Sequence, residues 1–213
     1  MPKARVHVSE ASADSLARDL LYPEELVAPG DVHAEIERRQ VEHGVYAWWF
    51  DHALPLAPRH DCQHMGSHDM LYVGIAPPTR SDDKRRRLSP IKRRLVRNHL
   101  QGSIRRSTLR QSLVALLNRH MAFSCWRDAS GRSRMRAEDE ARLTEWISTH
   151  AGVTFMHTDD PWSLEEALVR DGPSLPLNLS MSRHPFRKTL SALRAQMGRG
   201  ADEYLEDTTN HPY

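Results

Sequence analysis

The chain has 213 residues, 39% of them hydrophobic and 27% charged, with a formal net charge of +2, which is room for one well-cored domain with additions. It has no apolar run long enough to cross a bilayer, and Met1-Pro2-Lys3-Ala4-Arg5-Val6-His7 has no apolar core to serve as a secretory signal. Cys62 and Cys125 alone make no disulfide framework, so the expected home is the cytoplasm, with no membrane partner.

From the N-terminus, residues 12–21 have helical spacing in Leu16, Leu20 and Leu21. Tyr22-Pro23-Glu24-Glu25-Leu26 breaks it, and Asp31 can cap a second helix through Val32, Ile36 and Val41. Residues 1–40 thus read as a helical arm without chemistry of its own. Gly44-Val45-Tyr46-Ala47-Trp48-Trp49-Phe50 is a β-branched and aromatic run bounded by turn formers, and Leu71-Tyr72-Val73-Gly74-Ile75 echoes it. Both read as strands, expected to pair antiparallel. Residues 51–70 between them form an inserted loop with Pro55, Pro58 and Gly66. It holds His60, Cys62, His64 and His68, which are metal-ligand types, but their spacing matches no structural-zinc pattern. A solvent-exposed loop is expected, with metal binding there left open.

A charged linker with Pro77 and Pro78 then leads to a helix capped by Ser89, with Pro90 in its first turn and Leu88, Ile91 and Leu95 as its apolar stripe. Arg94, three residues after Ile91 and about 60° round the helix, falls at the margin of the buried face, where it can point into a cleft. Arg93 and Arg97 point further toward solvent. From Arg80 to Arg110 there are twelve basic residues against Asp82 and Asp83. This is a candidate phosphate-binding surface with Lys92, Arg93, Arg105, Arg106 and Arg110 as contacts; a solvated helix face is the alternative.

Gly102 closes that helix, and Ser107 opens the next, with Leu109, Leu113, Leu116 and Leu117 inward. A polar connection from Asp128 to Ser133 precedes a helix over 137–150, and Gly152 to His157 reads as a third strand. Ser163-Leu164-Glu165-Glu166 has capping-box form, which gives Glu166 a structural task and leaves Glu165 without one. Leu175-Pro176-Leu177-Asn178 and a helix from Pro185 to Met197, with Phe186, Leu190 and Leu193 inward, complete the domain. Residues 199–213 are expected to be a flexible acidic tail. Trp48, Trp49, Trp126, Trp146 and Trp162 are expected in core and sheet packing.

The first strand resembles the GIY half and the second the YIG half of the GIY-YIG nuclease superfamily. The basic helix, the glutamate and the Pro-Leu-Asn follow in the order in which that family places its remaining site residues. The resemblance spans roughly Val41 to Asn178 and, more loosely, the last helix. It implies an α/β (α+β) fold, a small three-stranded antiparallel sheet flanked by helices over residues 41–198, with extra N- and C-terminal helices. It also implies a metal-dependent endonuclease that hydrolyses DNA phosphodiester bonds, RNA not being excluded.

By the same resemblance, Tyr46 would be the general base or water positioner, and Tyr72 would hydrogen-bond the phosphate or the water. Arg94 would clamp the scissile phosphate, with Arg97 as the alternative. Glu165 would be the sole protein ligand of Mg²⁺ (or Mn²⁺), with Leu168-Val169 in place of the family's Leu-Ile. Asn178 would order the site from behind, and Gly74 completes the second motif. Such an assignment suits phosphodiester hydrolysis, which needs a positioned water, charge stabilisation on phosphoryl oxygens and help for the leaving oxygen. Arginine provides a permanent planar fork, and a tyrosine acts as a base only when positive charge lowers its pKa. There is one departure. The family's arginine commonly stands four residues before a histidine or tyrosine, whereas Arg94 stands five before His99, which would relay a proton or touch phosphate if it takes part. The rival reading is a non-catalytic binding module on the same fold.

Overall fold

The computed structural model describes residues 17–79 and 88–197. Helices α1 (Arg18–Leu21) and α2 (Val32–Arg38) lead into strands β1 (Gly44–Phe50), β2 (His64–Met65) and β3 (His68–Ala76). Next, α3 (Pro90–Lys92) runs directly into a π-helix (Arg93–Leu100), followed by α4 (Thr108–Met121), β4 (Cys125–Arg127) and β5 (Ser133–Met135). The chain continues through α5 (Ala137–His150), β6 (Ala151–His157), α6 (Pro161–Arg170) and α7 (Phe186–Gln196). The start of the expected arm at 1–16, the basic linker 80–87 and the acidic tail lie outside the described residues.

The sheet is antiparallel throughout, in the order β2-β3-β1-β6. It has four strands instead of the expected three, because the insertion turns back at Gly66 and pairs its own His64–Met65 with the start of β3. Central strand β1 is buried at every position. One face, with Tyr46, Trp48 and Phe50, packs on Ile91, Leu95, Leu113, Leu116, Ile147 and Leu190. The other, with Val45, Ala47, Trp49, Met70 and Val73, packs on Leu20, Leu21, Leu164 and Leu168. Burial on both faces explains why β1 reads as an unbroken apolar run without alternation, each large side chain contributing about 1.5–3 kcal/mol. The outer edges are also used: Val27 bridges Val153 beside β6, and Leu177 N donates to Leu71 O at 3.0 Å beside β3.

The insertion is folded around one arginine. Arg59 donates to Asp69 and to the carbonyls of Phe50 and Leu54 at 3.0 and 3.3 Å, while Leu54 and Cys62 are buried. His64 is hydrogen-bonded to Asp69, and burial raises the Cys62 thiol to about 11. His60, Cys62, His64 and His68 therefore do not converge on a metal position among the described residues.

Three other expectations are corrected. Helix α6 is capped by Asp160, whose side chain accepts from Ser163 N at 3.2 Å with Pro161 at the helix start; Ser163 is not the cap and the capping box does not form. Glu166 is structural in a different way, pairing with Arg170 one turn on. Trp162 is exposed on α6, at 53%, instead of in the core. The polar connection after α4 is a two-stranded ribbon, β4–β5.

The largest correction concerns Arg110, expected on a nucleic-acid surface. It is fully buried. Its Nη1 donates to the carbonyls of His99 and Leu100 at 3.0 and 3.2 Å and to Thr144 Oγ1 at 3.1 Å, while Nη2 donates to Glu140 O and Oε2 at 2.9 and 2.8 Å. A cation thus closes the C-terminal end of the π-helix, where carbonyls lack intrahelical partners, and ties it to α5. The spacing held a signal: Arg110, Val114 and Leu117 share one helical stripe, and the latter two are buried. Arg110→Ala is expected to cost about 3–5 kcal/mol in chemical denaturation, because Glu140 is left with an unpaired charge. The same truncation of exposed Arg106 should stay within about 0.5 kcal/mol.

Candidate active site

Tyr46 on β1 faces Gly74 on β3 in the sheet register. A Cβ at residue 74 would lie 2.6 Å from the Tyr46 hydroxyl and 2.8 Å from its ring carbon, so the ring crosses β3 only because residue 74 has no side chain. The hydroxyl is 2.8 Å from His99 Nε2, and His99 Nδ1 is 2.8 Å from Ser107 Oγ. Ser107 caps α4, its Oγ accepting from Arg110 N at 3.1 Å. With Nδ1 protonated, His99 donates to Ser107 and accepts from Tyr46; the other tautomer reverses both. Burial, then the charges of Arg94 and Arg110, hold the imidazole neutral with its pKa lowered to about 3.

The π-helix changes which side chains lie on the side of Arg94. Five residues along an α-helix place two side chains about 140° apart. Here the turn is widened, with Gln101 N donating to Val96 O at 2.8 Å, five residues back, and i→i+5 bonding brings position i+5 over position i. Arg94 and His99 therefore share a side of the helix. Arg94 is exposed, yet its charge bears on Tyr46, Tyr72, His99 and Glu165 together. Arg97 is exposed on the same helix.

Tyr72 and Glu165 complete the cluster. Burial raises the Tyr72 hydroxyl, with Thr108 and Arg94 acting against it. Burial, with the neighbouring Tyr72, raises Tyr46 well above the ordinary tyrosine range, and Arg94 only partly offsets this. The expectation that positive charge lowers Tyr46 thus meets a stronger desolvation. Glu165, half-buried on α6, is raised by burial and lowered by Arg94, and it makes no hydrogen bond or ion pair among the described residues. A half-buried oxygen donor with free lone pairs beside two hydroxyls fits a hard divalent cation that keeps most of its waters.

Asn178 is buried beside β3, with Oδ1 accepting from Val73 N at 2.9 Å and Nδ2 donating to Val73 O at 2.8 Å. It replaces a missing strand between Tyr72 and Gly74. Of the expected surface contacts, Lys92 pairs with Glu37 at 2.5 Å and Arg105 approaches Asp128 at 3.9 Å, while Arg93 is half-buried and Arg106 exposed. A residue missed in the sequence is Arg194 on α7, half-buried, bonded to Gln111, and close enough to Tyr72 and Arg127 for their charges to couple. Its place four residues after buried Leu190 put it on the inward face.

No curated protein and no solved structure matches the chain. A family model described as GIY-YIG catalytic domain matches residues 44–196. This span begins at the first glycine of β1 and takes in both motif strands, the π-helix, α6 and the Asn178 segment. The chain belongs to the GIY-YIG nuclease superfamily.

Proposed function

We propose that the protein is a metal-dependent endonuclease that hydrolyses DNA phosphodiester bonds at the cluster of Tyr46, Tyr72, Arg94 and Glu165. The carrying observation is that one arginine's charge reaches both motif tyrosines and the glutamate, although these groups lie on four separate elements. In this reading Arg94 clamps the scissile phosphate through its guanidinium fork. Tyr72 hydrogen-bonds a phosphoryl oxygen or the attacking water. Tyr46 positions that water, its ring fixed by the crossing over Gly74 and its hydroxyl by the hydrogen bond to His99 Nε2. Glu165 would hold Mg²⁺ or Mn²⁺, which when bound neutralises phosphoryl charge and assists the leaving oxygen. Asn178 and Gly74 keep β3 and Tyr46 in place. Arg97, Arg105, Arg106 and Arg194 would contact the backbone of the substrate, with Arg93 and Lys92 at its margin; Arg110 is withdrawn from that role. A cytoplasmic location remains the expectation.

The test is cleavage of plasmid, branched and single-stranded DNA and of RNA with Mg²⁺ or Mn²⁺. Wild type should cut, and Glu165→Ala and Tyr46→Phe should each lose at least about a hundredfold in rate, in line with removing a positioned acid–base or metal-holding group. Arg94→Ala should match them, while Arg97→Ala should retain most activity. DNA binding should weaken with salt, roughly 40-fold between about 50 and 200 mM if three phosphates are contacted. Salt-sensitive binding in every variant without any cutting would replace the nuclease by the non-catalytic module.

The neutral imidazole sets an acid limit. Because the pKa of His99 falls from 6.5 to about 3 on folding, the unfolded chain takes up a proton in that window that the folded one refuses. Stability from this group is complete above about pH 6.5 and declines on acidification toward about pH 3, by at most about 1.4 kcal/mol per unit. Denaturation midpoints measured from pH 7 to 4 should show this slope, and His99→Gln should flatten it.

A further inference from the structure

Three side chains with no task in the scheme above meet at one end of the β1–β6 pair. His43 immediately precedes β1, His157 is the last residue of β6, and Asp159 stands just before Asp160, the cap of α6. Gly44 pairs with His157 in the register and adopts φ +148°, and a Cβ there would lie 1.9 Å from Met156 O. Only glycine lets the two strand ends close this far, and that closure brings the two imidazoles side by side, edge to face with centroids 4.6 Å apart.

His43 Nε2 is 3.3 Å from Asp159 Oδ1, and His157 Nε2 is 3.5 Å from the same oxygen. The three ligand atoms all lie within 4.8 Å of one another. Zinc bonds to imidazole and carboxylate of about 2.0–2.1 Å put neighbouring ligands of a tetrahedron about 3.3–3.4 Å apart. Two edges of the triangle therefore already have the required length, and the third closes by swinging the two rings together.

We propose that His43, His157 and Asp159 form a transition-metal site of the zinc class, with water in the fourth position. Two neutral imidazoles and one carboxylate suit Zn²⁺, or Ni²⁺ and Cu²⁺, over the hard cation proposed for Glu165. The site clips the entry of β1, the exit of β6 and the capping turn of α6, the helix that carries Glu165, so bound metal would fasten that helix to the sheet. It stands apart from the cleavage proposal, because metal binding is read without any nucleic acid.

The experiment is calorimetric titration of the metal-free full chain with ZnCl₂, with MgCl₂ as control, alongside thermal unfolding. Wild type should bind one Zn²⁺ at this site, and its unfolding midpoint should rise by roughly 5–10 °C at a free metal concentration about a hundred times Kd. His43→Ala, His157→Ala and Asp159→Asn should each weaken binding at least tenfold, whereas a His64→Ala, His68→Ala double variant should not. Asp159 and His157 have side chains 93% and 52% exposed, so their variants should unfold like wild type without metal. Absence of Zn²⁺ binding, equal binding by His157→Ala and Asp159→Asn, or loss only with the loop histidines would overturn the proposal.

Discussion

A tyrosine laid across a neighbouring strand needs a gap in that strand. Tyr46 has one because its register partner is Gly74, and the rest of the cluster is placed from that crossing. Its hydroxyl is delivered to a buried imidazole, the imidazole to the Ser107 cap of α4, and the same cap to the backbone of Arg110. Arg110 then joins the end of the π-helix to Glu140 on α5. Polar groups buried this deeply are costly unless each has a partner, and here each link satisfies the next. One steric vacancy in β3 is therefore connected, through hydrogen bonds alone, to helices on the far side of the core.

The π-helix is the second element of this arrangement. Wide turns have poorer geometry than α-turns and survive where something holds them. Here Leu95, His99 and Leu100 all point inward from one short segment, and the final carbonyls are closed by a guanidinium. What the widened turn provides is a single side of the helix that carries both Arg94 at the rim and His99 in the interior. An α-helix over the same residues would have separated them.

Much of this was legible in the sequence. β1 and β3, their antiparallel pairing, the Ser89 cap and the stripes of α4 and α7 followed from apolar spacing and turn residues. The family resemblance proposed Tyr46, Tyr72, Arg94 and Glu165, and the charge of Arg94 bears on the other three. The failures have physical causes. The fourth strand is only two residues long, so its pairing rests on the Gly66 turn and the Arg59–Asp69 anchor, which no local pattern encodes. Arg110 was counted by charge when its stripe position mattered more. Asp160 outcompeted Ser163 because Pro161 starts the helix earlier. A π-turn has no sequence periodicity distinct from a short α-helix, so the side of the helix that Arg94 shares with His99 could not be read from spacing.

Asn178 carries a further consequence. It supplies the outer hydrogen bonds of Val73 from 105 residues away along the chain. Contacts of that separation close late, because the loop entropy of all intervening residues must be lost first. During synthesis the strand that bears Tyr72 and Gly74 therefore waits with one edge open until residue 178 has left the ribosome. By then α3 to α6 are already available to pack. The site is finished from its C-terminal side, and a chain interrupted before Pro176-Leu177-Asn178 would contain both motif strands without the support that fixes the second.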